Sequence, residues 1–350
     1  MRKPLKIGEL TAEIPVIQGG MGVGISLSRL AGAVASCGGV GVISSAQIGW
    51  REPDFRKKPF EANKRALAEE IRKAKEAAGG KGIVGVNIMV ASQNYEEYVE
   101  TAADAGVDLI ISGAGLPVDL PKFVEGKNVK IAPIVSSVKA WNVIARLWER
   151  KYKRSPDLVV IEGPKAGGHL GFDREELNTF TDETYDEVIR SIIQKVKEYG
   201  KKIGKEIPVA VGGGVYDRKD MDHALELGAD AVQMGTRFVT TEECDADPAY
   251  KQTYIDAKEE DIIIVQSPVG MPGRVINNSF VKRVKQEREK ISFCYHCIVT
   301  CDPKTTPYCI TMALIHAAEG DIENALLFCG SNACRATKIE TVREIMDELK

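Results

Sequence analysis

The stretch "VAVGGGVYDRKDMDHALELGADAVQMGTRF", Val209 to Phe238, decides the fold class. It begins and ends with short, nearly continuous apolar runs, which are typical of strands buried on both faces of a parallel sheet. Between them, residues 219–227 have the pattern of an amphipathic helix, and the glycine that follows is the usual residue beyond a helix end. A strand, a helix and a second strand in this order form the repeating unit of an α/β fold.

The same alternation runs through the first two-thirds of the chain. Strand candidates begin at Pro15, Val40, Ile83, Leu109, Ile131, Leu158, Val209 and Ala231. Helices are predicted over residues 28–36, 61–78, 95–105, 140–149, 185–199 and 219–227. Eight such units in about 240 residues predict a (β/α)8 TIM barrel, although a doubly wound sheet has a similar pattern. We expect residues 1–239 to form the barrel and residues 240–350 to be a barrel-associated helical extension, with a cysteine-rich segment at 294–334.

Composition excludes several classes of function. The net charge of −3 and the pI near 6.0 provide no basic field for nucleic-acid binding. No apolar run approaches the roughly 18 residues that span a bilayer. The basic N-terminal residues lack the apolar segment of a signal peptide, so we expect a cytoplasmic protein that acts on a small molecule. The sequence is compatible with a homo-oligomer.

Glycines cluster where the predicted strands end. In the loops after the seventh and eighth strands, we predict a phosphate cradle formed by Gly213, Gly214, Gly235 and Thr236. Glycine lets backbone N–H groups approach a phosphate closely, and these are the barrel loops that most often bind one. The alternative is that the glycines only form tight turns.

Three polar side chains stand out in or beside these apolar strands. Asn87 and Gln233 have donor and acceptor edges that suit a heterocycle, although each could equally satisfy nearby backbone groups. His169, at the end of "EGPKAGGHLG", follows a buried strand and stands beside glycines that leave room for a ligand. Its imidazole can transfer a proton near pH 7. Ser44 and Ser45, or Ser136 and Ser137, are candidate hydroxyls at strand ends.

Four cysteines fall within 16 residues, in "CYHCIVTCDPKTTPYC". They are Cys294, Cys297, Cys301 and Cys309. We expect these thiols to pack as small apolar groups without a metal. The alternative is that they hold Zn²⁺ or an iron–sulfur cluster, although the spacing is not that of a ferredoxin.

Taken together, five stretches resemble the nitronate monooxygenase (2-nitropropane dioxygenase-like) family. They are "PVIQGGMGVGISLSRLAGAVASCGGVGVISS", "GVNIMV", "EGPKAGGHLG", "VAVGGGV" and "AVQMGTRF", and the match resumes with "SPVGMPGRVINN" and the end of the chain. The resemblance implies an FMN-dependent barrel with His169 as its active-site histidine. The residues that it implies for flavin binding are Gly20, Met21, Gly22, Asn87, Gly167, Gly168, Gly213, Gly214, Gln233, Met234, Gly235 and Thr236.

The family that this sequence resembles includes proteins with two different activities. In nitronate monooxygenases an alkyl nitronate is oxidised with oxygen, and His169 would act as a base or position the substrate. In the FMN-dependent enoyl-ACP reductase II, which shares the motifs, NAD(P)H supplies electrons for an enoyl thioester. We expect the first activity and keep the second as the alternative. A phosphate-binding barrel enzyme without flavin and a non-catalytic flavin-binding protein remain further alternatives. At the position of Lys165, many members of the family have an acidic or amide residue. The sequence therefore does not identify the substrate.

Overall fold

A computed structural model describes residues 2–350 and shows a closed barrel of eight parallel strands. The first to eighth barrel strands are Val16–Gln18, Val40–Ser44, Ile83–Met89, Leu109–Gly113, Lys130–Val135, Val159–Glu162, Val209–Gly212 and Ala231–Met234. Each strand pairs with the next in the chain, and the eighth pairs with the first, so that Val232 lies opposite Val16. The predicted TIM barrel is confirmed, and the doubly wound sheet is excluded.

Helices connect the strands on the outside of the barrel. The connecting helices are Ser28–Ser36, Pro59–Ala78, Tyr95–Asp104, Leu120–Phe123, Val138–Tyr152, Arg174–Leu177, Asp182–Ile203 and Arg218–Glu226. The six predicted helices are all present, with ends displaced by no more than a few residues. The sequence pattern missed two connecting helices of four residues, Leu120–Phe123 and Arg174–Leu177, because one turn is too short to show a helical period.

The barrel interior is filled by apolar side chains from its own strands and is closed at one end by a hairpin. Strands Leu5–Ile7 and Leu10–Ala12 pair antiparallel, and Leu5 and Ile7 are fully buried against barrel residues such as Val40 and Leu109. The hairpin closes the end at which the strands begin. The opposite rim, where the strands end, is therefore the open end.

The chain after the eighth strand wraps around this barrel. It contains helices Thr236–Val239, Pro248–Asp256, Ser279–Gln286, Ile310–Glu319 and Val342–Leu349, and strands Ile262–Gln266 and Pro272–Ile276. Arg237, whose side chain is 7% exposed, pairs with Glu340 and Glu348 and so links the end of the barrel to the final helix. Because a buried charge is costly without a partner, these ion pairs fix the final helix against the barrel.

The two strands of the extension form an antiparallel hairpin that adds to the barrel at the sixth-strand loop. Strand Pro272–Ile276 pairs with a two-residue strand, Gly168–His169, which completes a three-stranded sheet. The sequence did not predict this pairing. Among residues 2–350, no helix has the length and apolar character needed to cross a bilayer.

Candidate functional site

The carboxyl ends of the barrel strands surround a cavity of about 280 Å³. His169 and all the residues that the resemblance implies for flavin binding line it, although they come from four separate loops and two strands. They are Gly20, Met21, Gly22, Asn87, Gly167, Gly168, His169, Gly213, Gly214, Gln233, Met234, Gly235 and Thr236. Parallel closure of the barrel brings these loops together, because every strand end lies on the same rim.

Close backbone approach explains two of the glycines. A Cβ at Gly20 would lie 2.5 Å from the Cβ of Asn87, so no side chain fits between the first and third strands there. Gly213 has a φ of +98°, and a Cβ there would lie 3.0 Å from Gly163 O and from Ala166 N. Within residues 2–350, the N–H groups of Gly213 and Gly214 donate no hydrogen bond. Free N–H groups in a glycine loop are suited to bind an anion.

A loop from the extension completes this part of the cavity. Gly330 N donates a hydrogen bond to Thr236 Oγ1 at 3.0 Å, and Asn332 Nδ2 donates one to Gly214 O at 2.6 Å. The hydroxyl of Ser331, between them, lines the cavity and is buried with no hydrogen-bond partner. This unpaired hydroxyl in the cavity wall is free to bind a ligand.

His169 is held by the hairpin of the extension. It lies opposite Gly273 in the three-stranded sheet, and the Arg274 guanidinium donates hydrogen bonds to Pro164 O and Ala166 O of the same loop. The imidazole Nε2 lies 2.7 Å from Ser267 Oγ, which also accepts a hydrogen bond from Val269 N at 3.3 Å. The ring of Phe328 contacts the imidazole at a centroid distance of 4.8 Å. Both the loop and the ring orientation are therefore fixed.

Burial governs the charge of this imidazole. It lowers the pKa of His169 to about 4, because the charged form loses its hydration. His169 is therefore neutral at pH 7. A neutral imidazole can donate one hydrogen bond and accept another, but it has no proton to release as an imidazolium.

A second titratable group in the cavity wall is Glu162, at the end of the sixth strand. Its carboxylate accepts a hydrogen bond from Gly171 N at 3.2 Å, and burial raises its pKa to about 7. The carboxyl group therefore exchanges a proton near neutral pH. Glu162 was not predicted as a site residue, although its place at a strand end could have indicated it.

Other residues missed from the sequence come from the extension. Ser267 and Phe328 have no local pattern that connects them to His169, because they reach it only through the tertiary fold. Of the serine candidates, Ser44 and Ser45 line the cavity. Ser136 and Ser137 are not part of the lining, and Ser137 instead caps the helix Val138–Tyr152 by accepting a hydrogen bond from Ala140 N.

Another part of the extension forms an apolar wall. Val269, Ile298, Ile310 and Leu314 line it, with the thiol of Cys297 among them. Within residues 2–350, no three His, Cys, Asp or Glu side chains lie in an arrangement that could hold a single metal ion.

The raised pKa of Glu162 predicts a specific change in stability with pH. Between about pH 4.5 and pH 7 the folded chain keeps a proton that the unfolded chain releases, so stability falls as the pH rises through this window. Glu162→Gln cannot ionise. We expect it to gain up to about 3 kcal/mol in free energy of unfolding relative to wild type between pH 4.5 and pH 8, measured by urea unfolding.

Glu100→Gln, on an exposed face of the helix Tyr95–Asp104, controls for the loss of one carboxyl group. Parallel pH curves for Glu162→Gln and wild type would refute the prediction.

Comparison with known proteins identifies the family. The family model described as nitronate monooxygenase matches residues 3–350. A probable nitronate monooxygenase of Staphylococcus saprophyticus is 25% identical over 307 residues, which cover 81% of each chain. One from Staphylococcus aureus is 24% identical over 313 residues, covering 79% of each chain.

Solved structures show the same fold. FabK from Thermotoga maritima has a TM-score of 0.72 at 25% identity, over 97% of this chain and 92% of that one. Nitroalkane oxidase from Streptomyces ansochromogenes has a TM-score of 0.69 at 18% identity, over 96% and 94% of the two chains. The family match spans the barrel and the extension, and the chain therefore belongs to the nitronate monooxygenase family of oxidoreductases.

Proposed function

We propose that this protein is an FMN-dependent oxidoreductase that oxidises alkyl nitronates with oxygen. The observation that carries the proposal is the single cavity in which the glycine loops of four barrel strands meet beside a neutral, fixed His169. The family match supports an oxidoreductase.

The cavity has features that fit FMN. The free N–H groups of Gly213 and Gly214, with the unpaired hydroxyl of Ser331, are suited to a phosphate. Because Gly20 has no side chain, its backbone is accessible beside Asn87. The Asn87 amide has both a hydrogen-bond donor and an acceptor, which a flavin heterocycle requires. Bound FMN would supply the exchange of electrons with the substrate, which no side chain of the cavity can perform.

In this proposal, His169 positions the substrate. A nitronate is already deprotonated and carries its negative charge on the nitro oxygens, so it needs a hydrogen-bond donor more than a base. A neutral imidazole can donate that bond, and the pKa of about 4 keeps it neutral over the working pH range. Ser267 is a positioning residue, because its hydroxyl holds the imidazole through the Nε2 contact of 2.7 Å.

The alternative is an NAD(P)H-dependent enoyl-ACP reductase. The likeness to FabK supports it, as does the apolar wall of Val269, Ile298, Ile310 and Leu314, which could accommodate an acyl chain. Both activities use the same flavin site. The substrate must therefore be found by experiment.

The phosphate loop predicts the effect of one methyl group on cofactor binding. Gly213→Ala places a Cβ about 3.0 Å from backbone atoms of the sixth-strand loop. We expect the affinity of the apoprotein for FMN, measured by fluorescence titration, to fall by at least about tenfold, since each 1.4 kcal/mol is a factor of ten.

The matched control is Gly204→Ala. Gly204 also has a positive φ, of +68°, but a Cβ there meets nothing within 4 Å and the residue lies outside the cavity. Equal FMN affinity in the two variants would contradict the phosphate assignment.

The electron donor and acceptor can be identified by rapid mixing. The oxidised flavoprotein is mixed without oxygen with an alkyl nitronate, NADH or NADPH in turn. We expect the nitronate alone to bleach the flavin absorbance, and we expect oxygen uptake with the nitronate when no NAD(P)H is present.

Bleaching by NADPH followed by reoxidation with a crotonyl thioester would establish the reductase instead. Protein that stays colourless with excess FMN but binds a phosphorylated sugar would favour the barrel enzyme without flavin.

The Ser267 hydroxyl predicts a defect confined to turnover. We expect Ser267→Ala to lower kcat with the nitronate by about tenfold or more, because the imidazole is then free to leave its productive orientation. FMN affinity should be unchanged, and Ser267→Thr, which keeps the hydroxyl, should restore part of kcat. An unaltered kcat in Ser267→Ala, or an equal loss in Ser267→Thr, would show that the hydrogen bond does not position His169.

A further inference from the structure

Four thiols that the proposed function does not use lie together beside the cavity. Cys294, Cys297, Cys301 and Cys309, called the thiol group below, are all free and none of them is fully buried. Each of the six pairs that they form lies within electrostatic range. Residues spread over 16 positions of the chain are thus gathered at one point, and Cys297 itself lines the cavity.

The segment that carries the thiol group is fixed to the barrel rim. Gln93 N donates a hydrogen bond to Cys297 O at 2.9 Å, and Val299 N donates one to Ala91 O at 3.0 Å. Both contacts join the segment to the loop after the third barrel strand. The position of the thiol group relative to the cavity is therefore set by backbone hydrogen bonds.

Hydrogen-bond donors lie near the sulfur atoms. The N–H groups of Thr311 and Met312, at the start of the helix Ile310–Glu319, are near Cys309, and the Thr311 hydroxyl is near Cys297. His296 N donates to Cys294 Sγ at 3.4 Å. Neutral thiols are weak acceptors, whereas metal-bound thiolates are commonly held by such donors.

The fourth sulfur lies beside an unsatisfied group. The hydroxyl of Thr306 is buried, has no other partner, and lies next to Cys301. A buried hydroxyl without a partner is free to donate a hydrogen bond to a nearby acceptor. A thiolate bound to a metal would be such an acceptor.

The arrangement of the thiol group distinguishes between metals. Zn–S bonds of about 2.3 Å in a tetrahedron place the sulfurs about 3.8 Å apart, and no group within residues 2–350 is arranged to hold a single ion. In a 4Fe–4S cluster each thiolate binds a different iron, so the four sulfurs lie further apart than they do around zinc. Four thiols that lie within electrostatic range of one another, with no arrangement for a single ion, are suited to such a cluster.

We propose that the thiol group binds a 4Fe–4S cluster in the wall of the cavity. This replaces our expectation that the thiols only pack as small apolar groups. The ring of Tyr295 stacks on Phe55 at 5.1 Å beside the thiol group and contributes an apolar shell. A cluster there would give the cavity a one-electron carrier, a consequence that rests on the proposed flavin function, whereas the site itself does not.

The test is the metal content of the full chain. The protein is purified without oxygen and reconstituted with ferrous iron and sulfide, and then desalted. We expect about four iron and four acid-labile sulfide per chain, a broad visible absorbance apart from any flavin, and an EPR signal after reduction with dithionite. Iron and sulfide at background level, or zinc in place of iron, would overturn the proposal.

Variants locate the cluster. Cys297→Ser and Cys309→Ser should each lose most of the iron and the EPR signal, whereas Cys37→Ser, a partly exposed cysteine outside the thiol group, should keep both. Full iron content in Cys297→Ser would also overturn the proposal. If the serine variants do not fold, the wild-type iron, sulfide and EPR measurements still decide it. Because FMN content is measured separately, a protein with the cluster but without flavin would refute the proposed function alone.

Discussion

The pairing of a two-residue strand, Gly168–His169, with Gly273 and Arg274 is the interaction on which the site depends. It joins the loop after the sixth barrel strand to a hairpin that lies about 100 residues further along the chain. The contact between Ser267 and His169 spans a similar separation. Without this pairing, a loop with three glycines beside the histidine would have no fixed conformation, since glycine restricts the backbone least. The extension therefore does more than cover the barrel, because it holds the imidazole in place.

The second constraint is the lack of space between the backbone segments that surround the cavity. Gly20 is opposite Asn87 with no room for a Cβ, and Gly167 would place one 2.7 Å from Gly330 N. These contacts bring backbone N–H groups close to the cavity and limit side chains to a few polar positions. The glycines thus limit the shape of the cavity, while Asn87, His169 and Ser331 contribute polar groups to its wall.

Most of the barrel could be predicted from the sequence, because each strand is a short apolar run and each long helix has its own period. The loops at the strand ends could also be predicted, because each one directly follows a strand. The rest depends on contacts that leave no local pattern. Ser267, Phe328 and Ser331 come from the extension, and only the folded chain shows that they lie beside His169 and the glycine loops of the cavity. The hairpin Leu5–Ile7 and Leu10–Ala12 was missed because three residues are too few to show a strand period.

The charge state of the cavity bears on which substrate it accepts. Burial keeps His169 neutral, and it keeps Glu162 largely protonated below about pH 7. The cavity wall then carries no fixed negative charge from these two groups, so an anion such as a nitronate is not repelled there. Ionisation of Glu162 at higher pH would place a carboxylate in the same wall, which weakens binding of an anion far more than binding of a neutral thioester. Burial sets both pKa values and thereby the charge of the cavity wall. The charge of the substrate is therefore the property by which the two candidate activities differ most.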